Sequence, residues 1–482
     1  MLQVLGNPRQ FCDGVTRRQA ITAGALSVLG GSFNLPSLLA MEERRVAGGP
    51  AAKAKGVLLL YLHGGAPTQD MLDMKPAAPV EIRGEFQPVA TSVPGIQICE
   101  HLPKMAKWMH RAAIVRTVHH DAGCHTTLPG FTGSEQFVNI NDPVPKDSFP
   151  PSMGSVCEYL RPSDCDVPHY AALPTYLGWG YNLRRPGPQG GFLGKRYDPL
   201  CGECLPVIDP KPSPPDSAVA MWLGAPQLIG TTFTADMTID RMNSRQSLLA
   251  QLDEQHRRSE THGAIANFGR VRQKAFDLLT SSKLKAAFNL EAEDQKLRER
   301  YGSHLFGSSA LIGRRLLEAG VRFVDVYWDG YASRSKDGGK DPYWDTHDKN
   351  FIRLKQLNLP KLDQTYDALL SDLEQRGLLD ETLVVMMSDF GRTPRVNSQA
   401  GRDHWTSCYS VMLAGAGIRG GTLCGTSDHS AAYVKDRPVR PADICATIYQ
   451  CLGIDPEMTV LDRSNRPIPI ANGGQAIREI LA

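Results

Sequence analysis

The chain has 482 residues, 41% hydrophobic and 22% charged, a balance that excludes wholesale disorder and leaves apolar material for a sizeable core. Its 53 Lys and Arg against 51 Asp and Glu give a formal net charge of +2, so no global field favours nucleic acid or an anionic membrane as partner. No apolar run reaches the about 18 residues that a membrane-spanning helix requires, so no transmembrane segment is expected.

The first landmark is Thr16-Arg17-Arg18-Gln19-Ala20, followed by a mildly apolar, Gly/Ala-rich stretch from Ile21 to Ala40. Paired arginines before a short, weakly hydrophobic run resemble a twin-arginine export signal. The resemblance implies export through the Tat machinery to the periplasm or the outside, with residues 1–45 as signal and 46–482 as the folding body. Of the 11 Cys, Cys201 and Cys204 form a lone CxxC pair with no second pair to complete a zinc set, and a local disulfide is the expectation.

Five apolar runs read as buried parallel strands: 57–62, 112–118, 321–327, 382–387 and 410–415. Helical patterns lie between them. Leu362, Tyr366, Leu369, Leu370 and Leu373 share one helix face, with Gly377 as the stop; 308–319 ends at Gly320, and 442–452 ends at Gly453. Alternating strands and helices predict an α/β fold, a mostly parallel central sheet with helices on both faces. Dense prolines from about 141 to 215 and a charged helical stretch from 244 to about 300 predict a loop-rich insertion over about 141–300.

Ligands bind such sheets outside the carboxyl ends of the strands. The first run is followed by His63-Gly64-Gly65 and by Asp70 and Asp73, the second by His119-His120-Asp121 and His125, with Trp344-Asp345-Thr346-His347 beyond the third. The fourth is followed by Ser388-Asp389-Phe390-Gly391-Arg392, then Gly401-Arg402-Asp403-His404-Trp405. Imidazole with carboxylate suits zinc or manganese, and an all-oxygen set suits calcium or magnesium. Converging strand ends therefore predict a divalent metal site.

The segment 380–391, a strand ending in Ser-Asp-Phe-Gly, resembles the sulfatase segment of the alkaline-phosphatase superfamily. Nearly the whole mature chain is similar to an exported bacterial family of unknown function usually labelled sulfatase-like. Its blocks here are Gly64 to Pro76, Pro94 to Pro103, Trp344-Asp-Thr-His347, Phe390-Gly-Arg-Thr-Pro394, Gly401-Arg-Asp-His-Trp405 and Asp443 to Tyr449. The resemblance implies an alkaline-phosphatase-like fold and makes Asp70 (or Asp73), Asp345, His347, Asp389 and His404 metal ligands. It places the nucleophile in Gly123-Cys124-His125-Thr126-Thr127, before a helix ending at Thr132-Gly133. Sulfatases begin that helix with Cys/Ser-x-Pro-x-Arg, whose first residue becomes formylglycine; neither the Pro nor the Arg is present here. Cys124, His125, Thr126, Thr127 and a metal-bound water are the candidates for nucleophile or proton transfer.

Phe390 stands where the superfamily has His or Asn, and Phe offers no lone pair. Either one metal is bound, or His120 or His125 substitutes, or catalysis has been lost. Arg392 and Arg402 are candidate anion clamps, or else structural ion-pair partners; Trp344 and Trp405 pack the site or stack on a sugar ring. The implied function is an exported metal-dependent hydrolase of sulfate or phosphate esters, acting on a small molecule or polysaccharide. The alternative is a non-catalytic sulfatase-like binding protein of a surface or polysaccharide-uptake system.

Overall fold

Strands without a polar face are satisfied only when both faces of their sheet are covered, and the five apolar runs take that position. A computed structural model describes residues 50–482 except 124, 139–144, 161–166, 179–183, 205–206, 209–221, 229–280 and 329–343. The export-signal reading of residues 1–45 and the candidate Cys124 lie outside the described residues. Ala51–Ala482 forms one unit, and among the described residues no helix is long and apolar enough to cross a membrane.

The central sheet has eight strands: β1 (Gly56–Leu62), β2 (Ala112–Val118), β3 (Tyr170–Leu173), β4 (Leu200–Cys201), β5 (Phe323–Trp328), β6 (Thr382–Ser388), β7 (Tyr409–Gly415) and β8 (Thr422–Cys424). Their order across the sheet is β8-β2-β7-β6-β1-β5-β3-β4. β1 pairs in parallel with β6 and β5, β3 with β5 and β4, and β8 with β2. The run 410–415, expected as a parallel strand, is β7 and instead runs antiparallel to both its neighbours, so the sheet is mostly parallel.

Helices cover both faces. Leu58, Leu60 and Leu62 share one hydrophobic cluster with Leu311, Ile312 and Leu316 of helix Leu305–Glu318 and with Leu362, Leu369, Leu370 and Leu373 of helix Leu359–Gln375. On the other face the Tyr61 ring lies 4.4 Å from Phe131 of helix Leu128–Thr132. That helix stops at Gly133, whose φ of +71° L side chains rarely adopt.

Two expectations need correction. The stretch expected as an insertion contributes helix Met153–Leu160 and strands β3 and β4, which extend the sheet itself; short strands among prolines carry too little periodicity to be recognised. Cys201 is a buried free thiol, so the local bridge to Cys204 does not form. Cys201 instead pairs with Ala172 as the end of β4.

Candidate metal centre

The parallel register of β1 and β6 pairs Leu62 with Ser388, so the next residues, His63 and Asp389, emerge side by side at the carboxyl ends of two central strands. Asp389 is fully buried, and its two carboxylate oxygens have different surroundings. Oδ1 accepts from the backbone N–H groups of Gly64 (3.0 Å) and Gly65 (2.7 Å) and from Ser388 Oγ (3.0 Å). Oδ2 has no hydrogen-bond partner; it lies 3.8 Å from His125 Nδ1 and 4.0 Å from His63 Nε2. A buried carboxylate oxygen left bare among imidazole nitrogens costs free energy that a bound cation would recover.

A second set adjoins the first. Asp345 Oδ1 lies 3.1 Å from His404 Nε2 and 3.1 Å from His347 Nε2, and its Oδ2 lies 3.5 Å from His125 Nε2. Asp345 is held there because Trp344 N–H donates to the carbonyl of His63 (3.1 Å). His404 sits on a two-stranded ribbon opposite Arg392. Burial alone would raise the Asp345 carboxyl, but His404, the Arg392 guanidinium and His125 hold it well below the usual range. Burial pushes His125 down to about 3, so its ring is neutral. Two donor groups therefore fit a metal ion, His63/His125/Asp389 and His125/Asp345/His404.

Of the expected ligands, Asp345, Asp389, His347 and His404 converge, though His347 is in neither donor group; His125, expected among the catalytic groups, stands in both as a candidate donor. His63 was legible as the first residue after β1 but carried no motif of its own. Asp70 is the exception. Its carboxylate receives a bidentate pair from Arg402, Nε at 2.8 Å and Nη2 at 2.6 Å, plus the Asn350 amide at 2.9 Å, and it is in neither donor group. Asp73 is likewise engaged with Lys75 and Ser427.

The anion-clamp expectation for the two arginines is also corrected. Arg392, fully buried, donates to the carbonyls of Gly64, Gly65, Trp344 and Arg402 and to Asp345 Oδ1 (2.5 Å). Arg402 divides its donors among Asp70 and the carbonyls of Ile82, Thr393 and Pro394. Both arginines brace the loops that carry the ligands. Thr126 Oγ1 donates to the Ala122 carbonyl (2.9 Å), and Thr127 Oγ1 to that of Pro186. Trp344 is fully buried packing, whereas Trp405 is partly exposed and donates Nε1–H to the Ala432 carbonyl.

His120 sits beneath the site. Its buried, neutral ring faces the Asp389 carbonyl through Nε2 (2.8 Å) and receives Ala122 N–H at Nδ1 (3.3 Å), which fixes the proton on Nε2. It positions Asp389 and is absent from both donor groups. Phe390 packs against Gly65, His125 (5.2 Å) and His404 (4.8 Å), an apolar wall where a ligand was expected.

A search of the curated proteins finds no match. Among solved structures, the PsFucS1 sulfatase from Pseudoalteromonas sp. is 12% identical with a TM-score of 0.33, over 86% of this chain and 70% of that one. The phosphonate monoester hydrolase SpPMH from Silicibacter pomeroyi is 11% identical (TM-score 0.35; 88% and 76%). A protein in the alkaline phosphatase superfamily from Vibrio parahaemolyticus is 10% identical (TM-score 0.32; 90% and 72%). Likeness at this distance leaves the chemistry to the site itself. A family profile matches residues 54–481, and the chain belongs to that family, described as a protein of unknown function (DUF1501).

Proposed function

We propose that this protein is a metal-dependent hydrolase of sulfate or phosphate esters with an alkaline-phosphatase-like site, exported through the twin-arginine route. The carrying observation is the bare Oδ2 of Asp389, buried between His63 and His125 beside the Asp345–His404 pair. Bound there, a divalent cation such as zinc or manganese supplies Lewis acidity toward the ester's oxyanion.

The chain's own residues supply the rest. Gly64 and Gly65 N–H groups and the His120 ring lock Asp389 in place before substrate arrives, so no reorganisation is needed during reaction. His347 is the partly exposed imidazole of the set, 43% exposed at its side chain. Its Nδ1 pairs with Asp403 Oδ1 at 2.7 Å, which orients the ring, and its Nε2 faces His404 Nε2 at 2.8 Å. The Thr126 and Thr127 hydroxyls are engaged with backbone carbonyls, which leaves Cys124 and water as the nucleophile candidates.

The test is elemental analysis of the purified protein together with turnover of an aryl sulfate, a phosphate monoester and a phosphodiester. Stoichiometric metal and turnover lost in Asp389→Ala and His404→Ala are expected. Folded protein that binds metal but turns over none of the three supports the binding-protein alternative instead. Export is checked separately by fusing residues 1–45 to a folded reporter, with Arg17→Lys/Arg18→Lys expected to retain it in the cytoplasm.

A further inference from the structure

We propose that the protein has a second ligand site, separate from the metal centre, which binds a small polyhydroxylated carboxylic acid. It is a cavity at the carboxyl end of β2 and β8.

The sequence marks the place. β2 reads Ala-Ala-Ile-Val-Arg-Thr-Val, and Arg116 is its one charged residue among buried neighbours. A guanidinium is tolerated on an interior strand only where its head reaches a partner or an opening. Arg116 reaches a cavity of about 390 Å³, a volume within the ordinary range of small-molecule sites. The carboxyl rim of the sheet is where folds of this class take ligands. β7 lies between β2 and β6, and no residue lining the cavity belongs to either metal donor group.

Packing shapes the floor. After β8 the chain passes so close to β2 at Gly425 that a Cβ would lie 2.2 Å from Thr117 Oγ1. This approach sets the ribbon of Thr426–Ser427 and Val434–Asp436 against β2. Asp73 is buried beneath; its Oδ1 accepts from Lys75 Nζ at 3.0 Å and its Oδ2 from the Ser427 hydroxyl. At the rim Asp436 Oδ1 accepts the Thr426 N–H at 2.5 Å, and Glu479 Oε1 pairs with Arg437.

The groups left over define the ligand. Arg116 Nε stands 3.5 Å from Asp73 Oδ1 without a hydrogen bond, and among the described residues no acceptor meets its two terminal nitrogens. Those nitrogens present the parallel N–H pair that a carboxylate accepts. Lys75, on the same Asp73 oxygen, adds a second positive charge. Among the described residues Asp436 Oδ2 and Glu479 Oε2 receive no hydrogen bond, which leaves two acceptors for hydroxyl donors. Leu423, 36% exposed, offers an apolar contact to a carbon skeleton. Lys75, Arg116 and Arg437 balance Asp73, Asp436 and Glu479, so the cavity suits one negative charge with several hydroxyls better than a polyanion.

The test is isothermal titration of the full chain with D-glucuronate, D-glucose and acetate, with and without a chelator. One glucuronate per chain is expected, at unchanged affinity after chelation. Glucose lacks the charge and acetate the hydroxyls, so each should bind at least tenfold more weakly. Arg116→Gln should weaken glucuronate at least tenfold, with its unfolding midpoint in urea confirming a folded chain. Glu479→Gln, on the exposed rim, should weaken it several-fold and keeps the test decisive if the Arg116 variant does not fold. Absence of glucuronate binding at millimolar concentration would overturn the site. So would glucose or acetate binding as tightly, or affinity lost on chelation and kept in Arg116→Gln, which would place the acid at the metal centre.

Discussion

The Arg402 guanidinium grips the Asp70 carboxylate through two parallel hydrogen bonds of 2.8 and 2.6 Å, with both side chains buried. This pair engages an aspartate that lies close in sequence to the candidate metal-ligand loops but is in neither donor group. It clamps the loop after β1 to the loop that carries His404. Removing one partner strands the other's charge, so Asp70→Ala should lower stability by about 3–5 kcal/mol. Denaturant unfolding measures the loss. Zinc bound per folded chain should not change; a drop to zero would return Asp70 to the ligand set.

Gly65 bears on the site through its missing side chain. Its φ is +87°, and a Cβ there would lie 2.2 Å from the Phe390 ring, which is itself packed against His125 and His404. Gly65→Ala therefore combines backbone strain with overpacking, a cost of about 2–5 kcal/mol. It also shifts the N–H that holds Asp389 Oδ1 at 2.7 Å. Zinc affinity should fall at least tenfold in isothermal titration; unchanged affinity would show that this cradle does not organise the centre.

Asp325 predicts a pH dependence of stability remote from the metal residues. It is fully buried in β5, with Tyr170 and Tyr327 hydroxyls donating to Oδ2 (2.6 and 3.0 Å) and no partner at Oδ1. Burial raises its carboxyl to about 7, against the lowering effect of the two tyrosines. The native state then holds a proton that the unfolded chain has already lost above pH ~4. Stability falls as pH rises from ~4 to ~7, by about 4 kcal/mol in all, and levels off above that. Asp325→Asn should flatten this slope in urea unfolding series at pH 5 and pH 8. A slope identical to that of the unaltered protein would assign the dependence to other groups.

Metal should stabilise the fold by mass action, since the donors come from distant parts of the chain and meet only when it is folded. At a thousandfold excess of zinc over its dissociation constant the gain is about 4 kcal/mol. Melting temperature should rise with added zinc and fall after chelation. In His404→Ala the shift should shrink, and a full shift there would place the ion elsewhere.

The apolar runs by themselves determined the central strands, because a mostly apolar stretch without a polar face is satisfied only when both faces are covered, and all five became strands of the sheet. The sequence likewise put Asp389 directly after a strand end, and Asp345, His347 and His404 in polar clusters further along the chain. Three things needed the tertiary structure. Strands β3 and β4 were hidden because so few residues cannot show a period. The roles of Asp70, Arg392 and Arg402 depended on which carbonyl or carboxylate lay within 3 Å, and partners such as Asp70 and Arg402 are 332 residues apart. His63 and His125 became ligand candidates only through pairing register and backbone conformation. The match of Leu62 with Ser388 sets His63 beside Asp389, and the positive φ of His125 turns its ring between two carboxylates. Local pattern encodes which residues are buried, but distances between charges on separate strands exist only after the sheet has chosen its order.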